Sequence, residues 1–133
     1  MAAKIIYVGA FLDDSEKAKL LARFAPVHPR VFAHHMTMVF KPAPDHPVFA
    51  RLGEWVDVEV FATAEDAKGQ AVCVRGVESD NPNPHITISC AEGTAPVYSN
   101  DLLRAGSTPV EPLVLRARIL AMTTAGSAVA VVP

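Results

Sequence analysis

Two four-residue stretches of this chain share one pattern of residue types. His35-Met36-Thr37-Met38 and His85-Ile86-Thr87-Ile88 each run histidine, apolar, threonine, apolar, fifty positions apart. Histidine has an unperturbed pKa of about 6.5, so near neutrality it can either take up or give away a proton. The threonine two residues on adds a hydroxyl donor. In an extended strand, alternate side chains share a face. His35 and Thr37 then stand together, opposite Met36, Met38 and Phe40; His85, Thr87 and Ser89 stand opposite Ile86, Ile88 and Cys90. A histidine that only packs would suit the apolar face, whereas both of these take the polar one. The chemistry implied is paired general acid–base catalysis, with one neutral imidazole accepting a proton while a protonated one donates. Either motif alone is a weak signal, and the pair is a stronger one.

The rest of the sequence must supply strands to carry those faces. Lys4 to Leu12 is rich in β-branched and aromatic residues and reads as a strand, with Ile5, Tyr7, Gly9 and Phe11 on one face. Asp13 followed by Glu16 forms a capping-box start. Helical spacing of Ala18, Leu21, Ala22 and Ala25 up to Pro26 predicts a helix over 14–25, its Leu21–Ala25 stripe facing the core. The first motif lies on a strand over 32–41, closed by Pro42, Pro44 and Pro47. Trp55 to Thr63 alternates almost strictly, 70–78 is a further strand, SDNPNP is a turn, and 84–90 carries the second motif. A short helix over 99–105 stops at Gly106. Val110 to Thr123 is extended but broken near Pro112, and 127–132 folds back on it through Ala125 and Gly126. About seven strands, adjacent in sequence, and two helices make an α+β fold with largely antiparallel pairing.

Composition bounds what these elements can do. A chain of 133 residues that is 50% apolar is one domain, 1–133, able to bury its own core. A formal charge of -2 with no basic run argues against broad electrostatic binding of nucleic acid, so any such ligand is gripped locally. Cys73 and Cys90 lack zinc-site spacing and the density of a secreted disulfide scaffold, which suits a reduced cytoplasmic setting. The apolar run Ile5 to Leu12 is too short to span a membrane. The tail from Ile119 to Val132 is interrupted by Thr123, Thr124, Gly126 and Ser127, so no membrane insertion is expected at either end.

The paired motifs resemble the H-x-[S/T]-x signatures of the two-histidine (2H) phosphoesterase superfamily, to which the LigT-like RNA end-processing enzymes belong. Within it the chain is most similar to the compact RNA-repair-associated type. The resemblance rests on the motifs and the order of elements around them; no residue outside the motifs is matched. It implies two pseudo-symmetric lobes of mainly antiparallel sheet around a central cleft, with about two flanking helices. It also implies a metal-independent, cofactor-free phosphodiesterase that opens 2′,3′-cyclic phosphates of RNA ends or small nucleotides. His35 and His85 would be the acid and base, in either order. Thr37 and Thr87 would direct hydroxyls at the non-bridging oxygens as the pentavalent transition state forms. The chain is shorter than better-known members and its motifs are closer together, so accessory substrate-binding segments are reduced. The alternatives are a nucleotide- or RNA-end-binding module without catalysis, and a 2H enzyme acting on a cyclic oligonucleotide or a 2′,5′-linkage. The expected partner is an RNA terminus or small nucleotide, bound by a monomer with no specific protein partner.

Further residues divide between this site and ordinary structure. Tyr7 either stacks on a base at the cleft wall or packs. Lys41, six positions after His35, shares its face if the strand stays regular, and Arg75 is placed near the cleft by similar reasoning. His34 must face away from His35 by the same alternation and is read as structural. His28 and His46 each precede a proline and are read as loop residues, not metal ligands.

Overall fold

Local sequence decides most of the elements. In the computed structural model, which describes residues 4–132, the β-branched segment Ile5–Phe11 forms strand β1. Helix α1, Asp14–Arg23, follows, and the Asp13 carboxylate accepts a hydrogen bond from the Glu16 N–H at 2.9 Å. The helix ends two residues short of Ala25 because Pro26 disfavours helical geometry at the residue before it, and the chain has already turned extended at Phe24, φ −124°. β2 (Arg30–Val31) and β3 (His35–Phe40) follow, then β4 (Trp55–Glu65), β5 (Gly69–Arg75) and β6 (His85–Cys90). Helix α2, Ser99–Arg104, leads into β7 (Thr108–Thr123), and β8 (Ala128–Val129) pairs back on β7 across the turn at Gly126, φ +82°. Single 3-10 turns at Pro47–Arg51 and Pro96–Tyr98 each begin on a proline, which is preorganised for that position.

β7 is a single strand of 16 residues, not a strand broken at Pro112. Pro112 falls where the β4–β7 register shifts, between the pairs Val60↔Leu113 and Ala62↔Pro109, a place that needs no regular N–H donor. The continuity of β7 decides the architecture. Its first part pairs antiparallel with β4, up to Trp55↔Arg118, and its last part pairs antiparallel with β1, from Phe11↔Arg118 to Ile5↔Thr123. The order β1-β3-β6-β5-β4-β7 therefore returns to β1 as a closed six-stranded antiparallel barrel. The fold is α+β, as the element pattern indicates, but the two separate lobes expected from the resemblance are replaced by one ring, because a single strand joins both halves.

The ring is unequally fastened. β4 and β7 share a long ladder, whereas β3 and β6 meet at one pair, Met36↔Ile86. β2 holds β6 at Val31↔Ser89, so five positions pass on one side for three on the other. The surplus is taken up at Ala33, whose φ is +54°. Inside the ring, Met36, Met38, Ile86, Ile88, Leu115 and Ile119 are buried together with Leu20 of α1. The apolar backs of both motifs thus form the core. Cys73 and Cys90 are free. No helix among the described residues is long and apolar enough to cross a membrane.

Candidate active site

The polar fronts of both motifs converge. A pocket of about 590 Å³ is lined by His35 and Thr37 from β3, His85 and Thr87 from β6, and Tyr7 from β1. The pair Met36↔Ile86 explains the convergence. In an antiparallel register the flanking residues bring His35 toward Thr87 and Thr37 toward His85.

His35 is seated by β1. A side chain at Gly9 would place its Cβ 2.6 Å from the Met36 carbonyl oxygen and 3.4 Å from the imidazole Cδ2 of His35, so the missing side chain makes room for both strand and ring. Around that space the His35 ring lies nearly parallel to Tyr7, centroids 4.8 Å apart, and to Phe11, 5.1 Å. Tyr7 therefore packs on the histidine and forms the pocket wall at the same time. The His35 pKa is lowered to about 3, first by burial and then by the neighbouring His34 and His85. His85 is also lowered by burial, partly offset by its bond to Asn83. Its Nδ1–H donates to the Asn83 carbonyl at 2.8 Å, which turns Nε2 away from that bond. Every buried side-chain nitrogen and oxygen among the described residues has a hydrogen-bond partner. The Nε2 atoms of His35 and His85 have no such partner there and so are reachable by solvent.

The threonines differ. The Thr87 hydroxyl is engaged with Ser99 Oγ at 2.8 Å and lies 3.4 Å from the Pro96 carbonyl, tying β6 to the start of α2. Thr37 has no side-chain partner among the described residues and is the hydroxyl free for a ligand. Its backbone is held from outside: Ser79 Oγ donates to the Thr37 carbonyl and the Asp80 N–H donates to Met38 O, at 2.8 and 2.9 Å. Those bonds bring the SDNPNP turn against β3, where Asn81 Nδ2 donates to Asn100 Oδ1 at 2.7 Å and both amides enter the pocket wall. A second hollow of about 510 Å³ shares Thr37, Phe40 and that amide pair in its lining.

Several placements differ from strict alternation. Between Val8↔Val39 and Gly9↔Thr37 β3 advances two residues for one, so Met38 is a bulge. Parity inverts after it: Val39 goes to the core and Phe40, 62% exposed, joins the pocket rim. Lys41 lies beyond the strand at φ +52°, its ammonium over the Phe40 ring at 5.4 Å, and not on the His35 face. Arg75 is taken up elsewhere, paired with Glu59 at 2.6 Å. His34 does not face away. It precedes β3, after the left-handed Ala33, so alternation does not govern it, and its ring meets that of His35 edge to edge, centroids 4.7 Å apart and Nδ1 atoms 2.6 Å apart. His28 and His46 are structural: His28 Nε2 lies 2.8 Å from the Asp66 carbonyl, and His46 Nδ1 accepts from the Val48 N–H. The pocket residues without a sequence signal are Phe32, Phe40, Asn81 and Asn100. The turn composition of SDNPNP marked a loop there but not its contact with β3. Among the described residues no three His, Cys, Asp or Glu side chains gather as a group that could hold a metal ion.

Compared with known proteins, the chain matches no family model and no curated protein.

Proposed function

We propose that the chain is a phosphodiesterase of the two-histidine type, opening 2′,3′-cyclic phosphates of RNA ends or small nucleotides without a metal. The supporting observation is that two imidazoles from separate strands line one pocket, each with its Nε2 unengaged, beside a free threonine hydroxyl. Both histidines are held toward the neutral form by burial. A phosphate anion between them favours the charged form, so substrate binding raises the pKa of the acid, which takes up its proton from solvent.

In the reaction a water oxygen bonds to phosphorus as the bond from phosphorus to one ribose oxygen breaks. One neutral imidazole takes the proton of the water, and the other, protonated, delivers its own to the departing ribose oxygen. His85 suits the acid: the Asn83 carbonyl fixes its Nδ1–H and favours its charged form, leaving Nε2–H to donate. His35, the harder to charge, is then the base. Thr37 donates to a non-bridging oxygen. Phe40 and Tyr7 offer aromatic surface to a nucleobase.

The test is product analysis with cyclic nucleotides and cyclic-phosphate-ended oligoribonucleotides, in chelator, by phosphorus NMR. Turnover with a bell-shaped pH profile is expected, and its loss by roughly 10²-fold or more in His35→Ala and in His85→Ala. No turnover of any of these substrates, or full activity in either variant, overturns the reading. Calorimetric binding of a nucleoside monophosphate without turnover would point to the non-catalytic module, and cleavage only of a cyclic oligonucleotide or 2′,5′-linkage to another diester.

A further inference from the structure

We propose that His34 is a positioning residue of this site, holding His35 through an Nδ1-to-Nδ1 hydrogen bond that sets which form of the His35 Nε2 faces the pocket. The inference rests on the catalytic role proposed for His35 but adds a residue that the paired motifs do not contain.

The two Nδ1 atoms are 2.6 Å apart, with ring centroids 4.7 Å apart and planes 12° from parallel, so the rings meet edge to edge and an in-plane N–H of one can reach the in-plane lone pair of the other. Two lone pairs repel at that separation, and so do two N–H groups, so one proton lies between the rings. Each neutral imidazole carries its single proton on one nitrogen. When His34 donates, His35 must carry its own proton on Nε2 and shows the pocket an N–H. When His35 donates, its Nε2 is a bare lone pair able to take a proton from water. The choice between hydrogen-bond donor and base at the pocket is therefore made at the far side of the ring, by His34.

Catalysis needs the second arrangement, and the surroundings permit it. The groups facing the pair are Tyr7 and Phe11 on β1, His85 on β6 and Lys17 on α1. Tyr7 stays neutral because burial raises its pKa. Lys17 and burial both oppose a charge on His34, which keeps it neutral and able to accept from His35. The backbone serves the same geometry. Left-handed Ala33 directs His34 back over the site, and the His34 carbonyl accepts from the Leu12 N–H at 2.9 Å, so the dyad is pinned to β1.

The test joins spectroscopy and kinetics on the full chain. In protein carrying ¹⁵N-histidine, a through-hydrogen-bond coupling between two Nδ1 nuclei is expected, retained in His85→Ala and lost in His34→Phe. His34→Phe keeps a planar aromatic ring but removes the nitrogen. It is expected to lower kcat roughly tenfold, a part of the 10²–10⁴ that an acid–base group itself supplies, with KM little changed. The acidic limb of the profile should move to lower pH, because charged His35 loses the neutral acceptor that its Nδ1–H bonds. His34→Asn, which restores a hydrogen-bonding amide, should recover most of kcat. Absence of the coupling, full kcat in His34→Phe, or a loss that Asn does not recover overturns the proposal. If the wild-type chain turns over no cyclic phosphate, the proposed function fails separately; the coupling and the titration of His35 in His34→Phe still decide the dyad.

Discussion

At the scale of single residues, the site depends on a vacancy as much as on its side chains. Gly9→Ala drives a methyl group to 2.6 Å from the backbone oxygen of Met36, and backbone cannot rotate aside as a side chain can. A loss of about 2 kcal/mol is expected from such overpacking, measured by urea unfolding, together with displaced His35 ring resonances. His35 itself links acidity to stability. Its folded pKa is lowered from 6.5 to about 3, so between those values the unfolded chain binds a proton that the folded chain refuses. Stability contributed by the neutral ring is complete above pH 6.5 and falls as the pH drops through that window. At pH 4.5 the loss from this one residue is on the order of 2–3 kcal/mol. Unfolding free energies at pH 7.5 and 4.5 should show that slope in the wild type and a shallower one in His35→Leu. An unchanged slope would mean that His35 charges freely in the folded state.

At the scale of elements, the two threonines that look alike in sequence do different work. Thr87 spends its hydroxyl on Ser99, a fully buried N-terminal residue of α2, and so fastens the helix to the strand behind His85. Ser99→Ala should cost about 1–2 kcal/mol by leaving a polar group short of a partner, whereas Thr37→Val should leave stability nearly unchanged and lower turnover. Thermal melts set beside kinetics separate the two outcomes. What could be read from the chain itself follows the same division. The strands, the capped helix and the polar fronts of both motifs follow from alternation and from Asp13 and Glu16, which are local signals. The Met38 bulge and the kink at Ala33 were not legible, because neither is glycine and nothing local announces a positive φ or an extra residue. They are imposed by tertiary pairing with β1 and β6. For that reason Phe40 and His34 enter the site and Lys41 leaves it, in each case against the alternation that placed His35 and Thr37 correctly on their strand.

At the scale of the whole molecule, the closure of the barrel turns on β7, and the pattern of short strands could not reveal that one strand would serve two neighbours. Ile119, fully buried on β7 and packed in the single large core, is the residue where loss of volume should be felt most widely. Ile119→Ala is expected to lower unfolding free energy by about 2–5 kcal/mol, read from denaturant titration. The pocket lies over the opposite weakness, the place where β3 and β6 share one pair. An anion gripped by His35 on one strand and His85 on the other is, in mechanical terms, a rivet through that seam. The ligand then completes the hoop that the backbone leaves all but open, and its grip should be visible as slower amide exchange along β3 and β6 while β4 and β7, already laced together, remain unchanged.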